Sequence, residues 1–93
     1  MSDEKPRYDL VPWDAMDEAV KVITSGQKKH PNDEWKSLDA GVHIACAFRH
    51  LVARARGEII DDDGLPHTAH AICRLLFICS IDMLKIARQR QRQ

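Results

Sequence analysis

The chain has 93 residues, 14 basic and 14 acidic, with a hydrophobic fraction of 44% and aromatics at only 5%. That length allows one domain, residues 1–93, with an adequate but not generous core. A formal net charge of zero argues against direct binding to duplex nucleic acid, which calls for a basic excess. The longest unbroken apolar run, residues 75–79, is far too short to cross a bilayer, and MSDEKPRYD at the N-terminus lacks the apolar stretch of a signal peptide. Cys46, Cys73 and Cys79 all fall inside apolar helical patterns and read as reduced core residues. A soluble, cytoplasmic protein is expected.

Residues 1 to about 11 form a polar arm ending in Tyr8-Asp9-Leu10-Val11, with room for a short N-terminal helix. Pro12 suits a helix start, where its missing N–H costs nothing, and Asp14, Asp17 and Glu18 favour the positive helix end. Met16, Ala19, Val20 and Ile23 recur at helical spacing and predict one buried face, with Gly26 as the residue that ends the helix. Residues 27–37, QKKHPNDEWKS, are a polar connection in which His30-Pro31 blocks helix continuation and Asn32-Asp33 favours a turn. Trp35 reads as a hydrophobic peg holding this loop on the core, or alternatively as a surface on which a ligand stacks.

A second helix is predicted from Leu38 or Asp39 to Arg56. Leu38, Val42, Ala45, Phe48 or Arg49, and Val52 mark one apolar stripe and Ile44, Phe48, Leu51 and Ala55 an adjacent one, so burial on more than one side is expected. His43, Ala47, His50 and Arg54 form a separate line on the same helix. The third helix, from Pro66 or His67 to the late eighties, is apolar nearly all round in its middle. Three helices of one subunit are too few to cover it, so an all-α helical-bundle homo-oligomer, most simply a dimer, is expected. Residues 88–93 read as a frayed basic tail.

The chemistry concentrates in residues 57–71, GEIIDDDGLPHTAHA. Carboxylates and imidazoles together are metal-ligand types, and none of these falls at an obvious core position; a solvated acidic loop with surface histidines is the plainer alternative. If the second and third helices are antiparallel neighbours, His50 and Arg54 meet His67 and His70, and Glu58, Asp61 and Asp63 lie in the loop joining those ends. Carboxylates suit Mg²⁺ or Mn²⁺, and added histidines shift the preference toward Mn²⁺ or a later transition metal. The glycines are isolated, so no phosphate-binding glycine loop is present.

Lys5-Pro6-Arg7-Tyr8-Asp9-Leu10-Val11-Pro12, Gly26-x-Lys28-Lys29, Trp35, Arg49-His50-Leu51, Gly57-Glu58, Asp61 and Gly64-Leu65-Pro66-His67-x-x-His70-Ala71 form an ordered series. The series resembles the phage-associated dATP/dGTP diphosphohydrolase family of N-terminal type, over roughly residues 5 to 80. By further analogy it is similar to the all-α nucleotide pyrophosphatases of the MazG type. The resemblance implies a phage or prophage protein that cleaves deoxynucleoside triphosphates between the α and β phosphates, uses a divalent metal and assembles as a dimer or larger. The paired Glu-x-x-Glu and Glu-x-x-Asp motifs of those pyrophosphatases have close echoes only in Asp14-x-x-Asp17 and Glu58-x-x-Asp61, and His30 and Glu34 stand where the family often has tyrosine and asparagine.

On this reading Glu58, Asp61, Asp63, His67 and His70 hold or orient the metal. Glu58, Asp61 and His50 carry the catalysis, Lys28, Lys29, Arg49 and Arg74 steady the triphosphate, and Trp35 stacks on the base. The alternatives are a nucleotide-binding or host-factor-binding protein without turnover, and a helical structural protein whose histidines only cap and pack.

Overall fold

The computed structural model describes residues 5–92; the first four residues of the arm and the terminal Gln93 lie outside it. A 3-10 turn at Tyr8–Leu10 takes the place of an N-terminal helix and is followed by α1 (Trp13–Lys29). A second 3-10 turn (Glu34–Ser37) leads into α2 (Ala40–Ala55) and α3 (His67–Gln91). The fold is all-α. The helix boundaries have local causes. Asp39 caps α2, its carboxylate accepting from the Gly41 amide at 2.9 Å. Gly57 ends α2 in the left-handed region at φ 99°, where a Cβ would be strained.

Two boundaries depart from expectation. Gly26 does not end α1; its carbonyl accepts the His30 N–H at 2.8 Å, and the helix stops only where Pro31 intervenes. An isolated glycine costs a helix about 1 kcal/mol relative to alanine, too little to end one already packed. The basic tail is helical as far as Gln91, because arginine and glutamine are good helix formers and the cations favour the negative end.

Helix α3 is the central element. Both α1 and α2 pack on it, and among the described residues α1 and α2 do not pack on each other. The pairs His50–His67 and His43–Arg74 keep the same sum of residue numbers, as antiparallel helices require. The interface is built of small residues: Cys46 and Ala47 on α2, Ala69, Ala71 and Cys73 on α3, and Ala19 and Val22 on α1 are the buried apolar residues. Ile23, Leu65 and Phe77 close over the Val22–Ala69–Cys73 contact. Trp35 is a peg: its ring stacks on Phe77 with centroids 4.2 Å apart and planes 6° from parallel.

The face that α2 turns inward is the histidine line. His43 is fully buried, and His50 and Ala47 lie along the same contact with α3. Both expected apolar stripes point outward, with Phe48 62% exposed and Val42, Ile44, Leu51 and Val52 all exposed. The expected α1 face is rotated likewise: Val20 is exposed and Val22 takes its place. Cys79, expected in the core, is exposed; six residues beyond Cys73, it falls two-thirds of a turn from that residue's buried direction.

Because Ala69 is 2% exposed at a contact of small side chains, Ala69→Leu is expected to destabilise the fold by about 1–3 kcal/mol through overpacking. Urea denaturation reads this directly, and an unchanged midpoint would show that α1 and α3 have slack between them.

Candidate metal centre

The loop between α2 and α3 is ordered by its own backbone. Ile60 and Pro66 form an isolated antiparallel bridge. The Asp61 amide donates to the Leu65 carbonyl at 2.9 Å, and the His67 amide donates to the Ile59 carbonyl at 2.9 Å. Gly64 sits at φ 84°, which lets so short a segment reverse. The loop is thus an ordered turn, with Glu58, Asp62 and Asp63 exposed and Asp61 partly buried.

This turn aims two carboxylates. Asp61 Oδ1 accepts from the Asp62 amide at 2.8 Å, and Asp63 Oδ1 accepts from the Leu65 amide at 2.9 Å. Each aspartate thus spends one oxygen on the loop and offers the other, Oδ2, to the imidazoles. Asp61 Oδ2 lies 3.9 Å from His50 Nδ1 and 3.6 Å from His70 Nε2. Asp63 Oδ2 lies 2.8 Å from His70 Nε2. Asp62 supplies an amide, and its own side chain is exposed.

The three imidazoles meet because α2 and α3 approach through alanines at this level. His50 Nδ1 is 3.0 Å from His67 Nδ1, and the His50 and His70 rings stack with centroids 4.5 Å apart and planes 9° from parallel. His67, expected outside the core, is buried at 5% exposure. Its Nε2 faces Glu58 Oε1 at 2.7 Å. An ionised carboxylate only accepts, so Nε2 carries the proton and Nδ1 turns its lone pair toward His50 and Asp61. Glu58 therefore stands on the ring nitrogen that faces away from the other donors, where a carboxylate fixes the tautomer of a metal-ligating histidine.

The donors fall into two sets, His50–Asp61–His67 and Asp61–Asp63–His70, the atoms of each lying within 4.8 Å of one another. They fit a divalent metal on two grounds. Imidazole nitrogens and carboxylate oxygens are the ligands of Mn²⁺ and the later transition ions. In addition, His70 Nε2 is buried and, despite the nearby Asp63 oxygen, makes no well-aligned hydrogen bond; a buried polar atom without a partner calls for an explanation, and an ion is one.

Electrostatics support the same arrangement. Burial, followed by the neighbouring His70, pushes His50 below its ordinary imidazole value, with Asp61 opposing; the neutral form is the one that binds metal. Burial raises the Asp63 carboxyl, but the Leu65 amide, His70 and Lys29 outweigh it and hold the group down.

The other candidate residues lie around this centre. Lys28 and Lys29 end α1, exposed, and Lys29 is close enough to act on Asp63. Arg49 donates to Cys46 Sγ at 2.9 Å. Arg74, one turn beyond His70, meets His43 Nδ1 at 3.0 Å, while His43 Nε2 faces the Trp35 carbonyl at 2.9 Å. His43 is thus committed to packing and takes no part in the donor sets. Arg74, Trp35, Gln27 and Ser37 line a cleft of about 350 Å³ between α1, the second 3-10 turn and α3. Sequence reasoning missed this cleft, because its walls come from three separate segments. No helix of the described residues is long and apolar enough to cross a membrane.

A depressed His50 sets a direction for stability against pH. Below the ordinary imidazole value of 6.5 the unfolded chain takes up the proton that folded His50 still refuses, so metal-free protein loses stability as pH falls through that value. The loss levels off once folded His50 also titrates. Asp63, held below 3.8, loses its contribution only in a lower and separate window. Thermal melts between pH about 7.5 and 5 should therefore slope less for His50→Gln than for the parent chain; equal slopes would sink the assignment.

A family model described as dATP/dGTP diphosphohydrolase, N-terminal, matches residues 1–91. No curated protein and no solved structure shows significant similarity to the chain. The match spans nearly the whole sequence, and the chain belongs to the dATP/dGTP diphosphohydrolase N-terminal family.

Proposed function

We propose that the protein is a metal-dependent pyrophosphohydrolase of deoxynucleoside triphosphates, converting dATP or dGTP and water to the monophosphate and pyrophosphate. The observation that carries this reading is the pair of donor sets meeting at Asp61, in a chain whose family name specifies that chemistry. Asp61, Asp63, His50, His67 and His70 would hold the divalent ion, and Glu58 would orient His67. Such an ion supplies Lewis acidity toward phosphate oxygens and acidifies a water. Arg74 lines the cleft and Lys28 and Lys29 stand in the last turn of α1; with Arg49 they would meet the charge that develops on departing pyrophosphate. The cleft beside Trp35 takes the base. In this reading the protein works in the cytoplasm of a bacterium carrying the phage or prophage.

Purified protein incubated with each dNTP and Mg²⁺, Mn²⁺ or Co²⁺ should release monophosphate and pyrophosphate. Asp61→Asn should lower turnover by about 100-fold or more, the scale of losing a ligand or its immediate support. Nucleotide binding without turnover, indifferent to chelator, would instead mark a nucleotide-sequestering protein.

The assembly we propose is a homo-oligomer, the outward stripes of α2 being covered by a second copy of this chain. The radius of gyration, 15.5 Å, exceeds the roughly 12 Å of a compact chain of this length, and Phe48, Leu51, Leu75 and Leu76 are all exposed. Exposed large apolar side chains on both α2 and α3 are what an interface leaves when its partner is removed. Sedimentation at micromolar concentration should give a dimer or larger, and Phe48→Asp should shift it to monomer without loss of helicity. A parent chain that sediments as a monomer would refute the arrangement.

A further inference from the structure

We infer that His43 is a positioning residue for the cleft: it holds the Arg74 guanidinium on the cleft wall without neutralising it, and so sets the affinity of the cleft for the phosphates of a nucleotide. The inference rests on the nucleotide reading above and concerns two residues outside both donor sets.

The hydrogen bonds around His43 allow one protonation state. An arginine only donates, so His43 Nδ1, 3.0 Å from Arg74 Nη1, accepts. A backbone carbonyl only accepts, so Nε2, 2.9 Å from the Trp35 carbonyl, carries the ring proton. The ring is fully buried and meets Phe77 edge-on, with centroids 5.4 Å apart. Beyond filling the seam, this neutral imidazole joins α2 to two walls of the cleft, Arg74 on α3 and the turn that carries Trp35.

Arg74 is the unexpected partner. It is half-buried, and among the described residues no carboxylate pairs with it. Glu34, the carboxylate that lines the same cleft, faces His30 at 3.1 Å instead. To satisfy Nδ1 alone, a hydroxyl or amide would serve at a lower desolvation cost than a cation. A carboxylate in place of His43 would hold the guanidinium firmly but cancel its charge, whereas the neutral ring holds it and leaves the charge intact. Such a partly desolvated cation is completed by an anion. The guanidinium keeps most of its N–H donors, in a planar fork that matches phosphate oxygens. Val22, Ile23, Trp35 and Phe77 make the facing walls apolar or aromatic, so the ligand that fits is a phosphate joined to a ring.

The test is calorimetric titration of the full chain with α,β-methylene-dATP, which carries the phosphates but resists cleavage, at a fixed Mn²⁺ concentration. Two substitutions separate the two hydrogen bonds of His43. His43→Asn keeps an acceptor near the place of Nδ1, toward Arg74. His43→Gln keeps a donor near the place of Nε2, toward the Trp35 carbonyl. His43→Gln should weaken binding about 10-fold or more, the scale of one hydrogen bond to a charged group, and His43→Asn by less than about 3-fold. A histidine that only packs gives no such split. In an Arg74→Gln chain, which should itself bind about 10-fold more weakly, His43→Gln should add nothing further. Equal weakening by both His43 variants, or an effect that persists without Arg74, would overturn the proposal. Unchanged affinity in Arg74→Gln overturns it even where circular dichroism shows that the His43 variants fail to fold. Since the analogue is not cleaved, the expected pattern in a protein that hydrolyses no dNTP leaves the role of His43 standing and removes the hydrolase reading; turnover of dATP with no split between the two variants does the reverse.

Discussion

The close approach of α2 and α3 through alanine and cysteine is the constraint on which the rest of the structure depends. Large apolar side chains along that seam would hold the helices near the upper end of the 8–10 Å range of helix spacing. Instead Ala47, Ala69, Ala71 and Cys46 leave space that imidazoles fill. His43 fills it at one level with both nitrogens engaged, to the Trp35 carbonyl and Arg74, which is how a fully buried polar ring avoids the cost of unmet hydrogen bonds. Two turns along α2, His50 fills it again, this time against His67 and His70. The same packing rule thus produces a histidine with a closed network at one level and a cluster of imidazoles and carboxylates at the next. The difference between them lies in what faces the ring nitrogens.

The antiparallel register carries that difference. At the His43 level the partners come from the body of α3 and the second 3-10 turn, and the network is closed. At the His50 level the partners come from the end of α3 and from the loop, where Asp61 and Asp63 each retain one oxygen not taken by backbone. The bridge between Ile60 and Pro66, with Leu65 packed on the core, fixes those oxygens. Glu58 stays largely in water while holding His67 from behind, so the centre has a supported wall on one side and an accessible carboxylate on the other.

Much of this was legible in the residues. Asp39, Gly57 and Pro66 mark helix ends by mechanisms that act within a few positions, and Pro31 marks another. The convergence of His50, His67, His70, Asp61 and Asp63 follows from a short loop between antiparallel helices, and it holds. What was not legible depends on distances that sequence spacing does not carry. Gly26 looked like a stop because propensity is weak against packing. Glu58 and Asp61 face different neighbours, Glu58 meeting His67 Nε2 at 2.7 Å, because residues 58–60 are extended and not helical. The outward turn of Phe48 was not legible because hydrophobic periodicity marks an apolar face without saying what covers it.

That last point joins the apolar stripes of α2 to its histidine line. A helix with two apolar stripes would ordinarily turn one of them toward its own neighbour, since burying a leucine or phenylalanine side chain is worth about 1.5–3 kcal/mol. In α2 that position is given to His43 and His50, while Phe48, Leu51 and Val52 face outward. An isolated chain gains nothing from this orientation: it buries polar rings that need partners and exposes apolar ones that need none. The orientation becomes favourable when a second copy covers the stripes, because the hydrophobic gain is then realised between chains and the inward face is free to carry chemistry. Metal ions bound at the same face, as proposed, would add to this by stabilising the folded state through mass action. In the proposed arrangement, assembly on one side of α2 and ligation on the other would support a single conformation, and loss of either would weaken the hold of this short chain on the other.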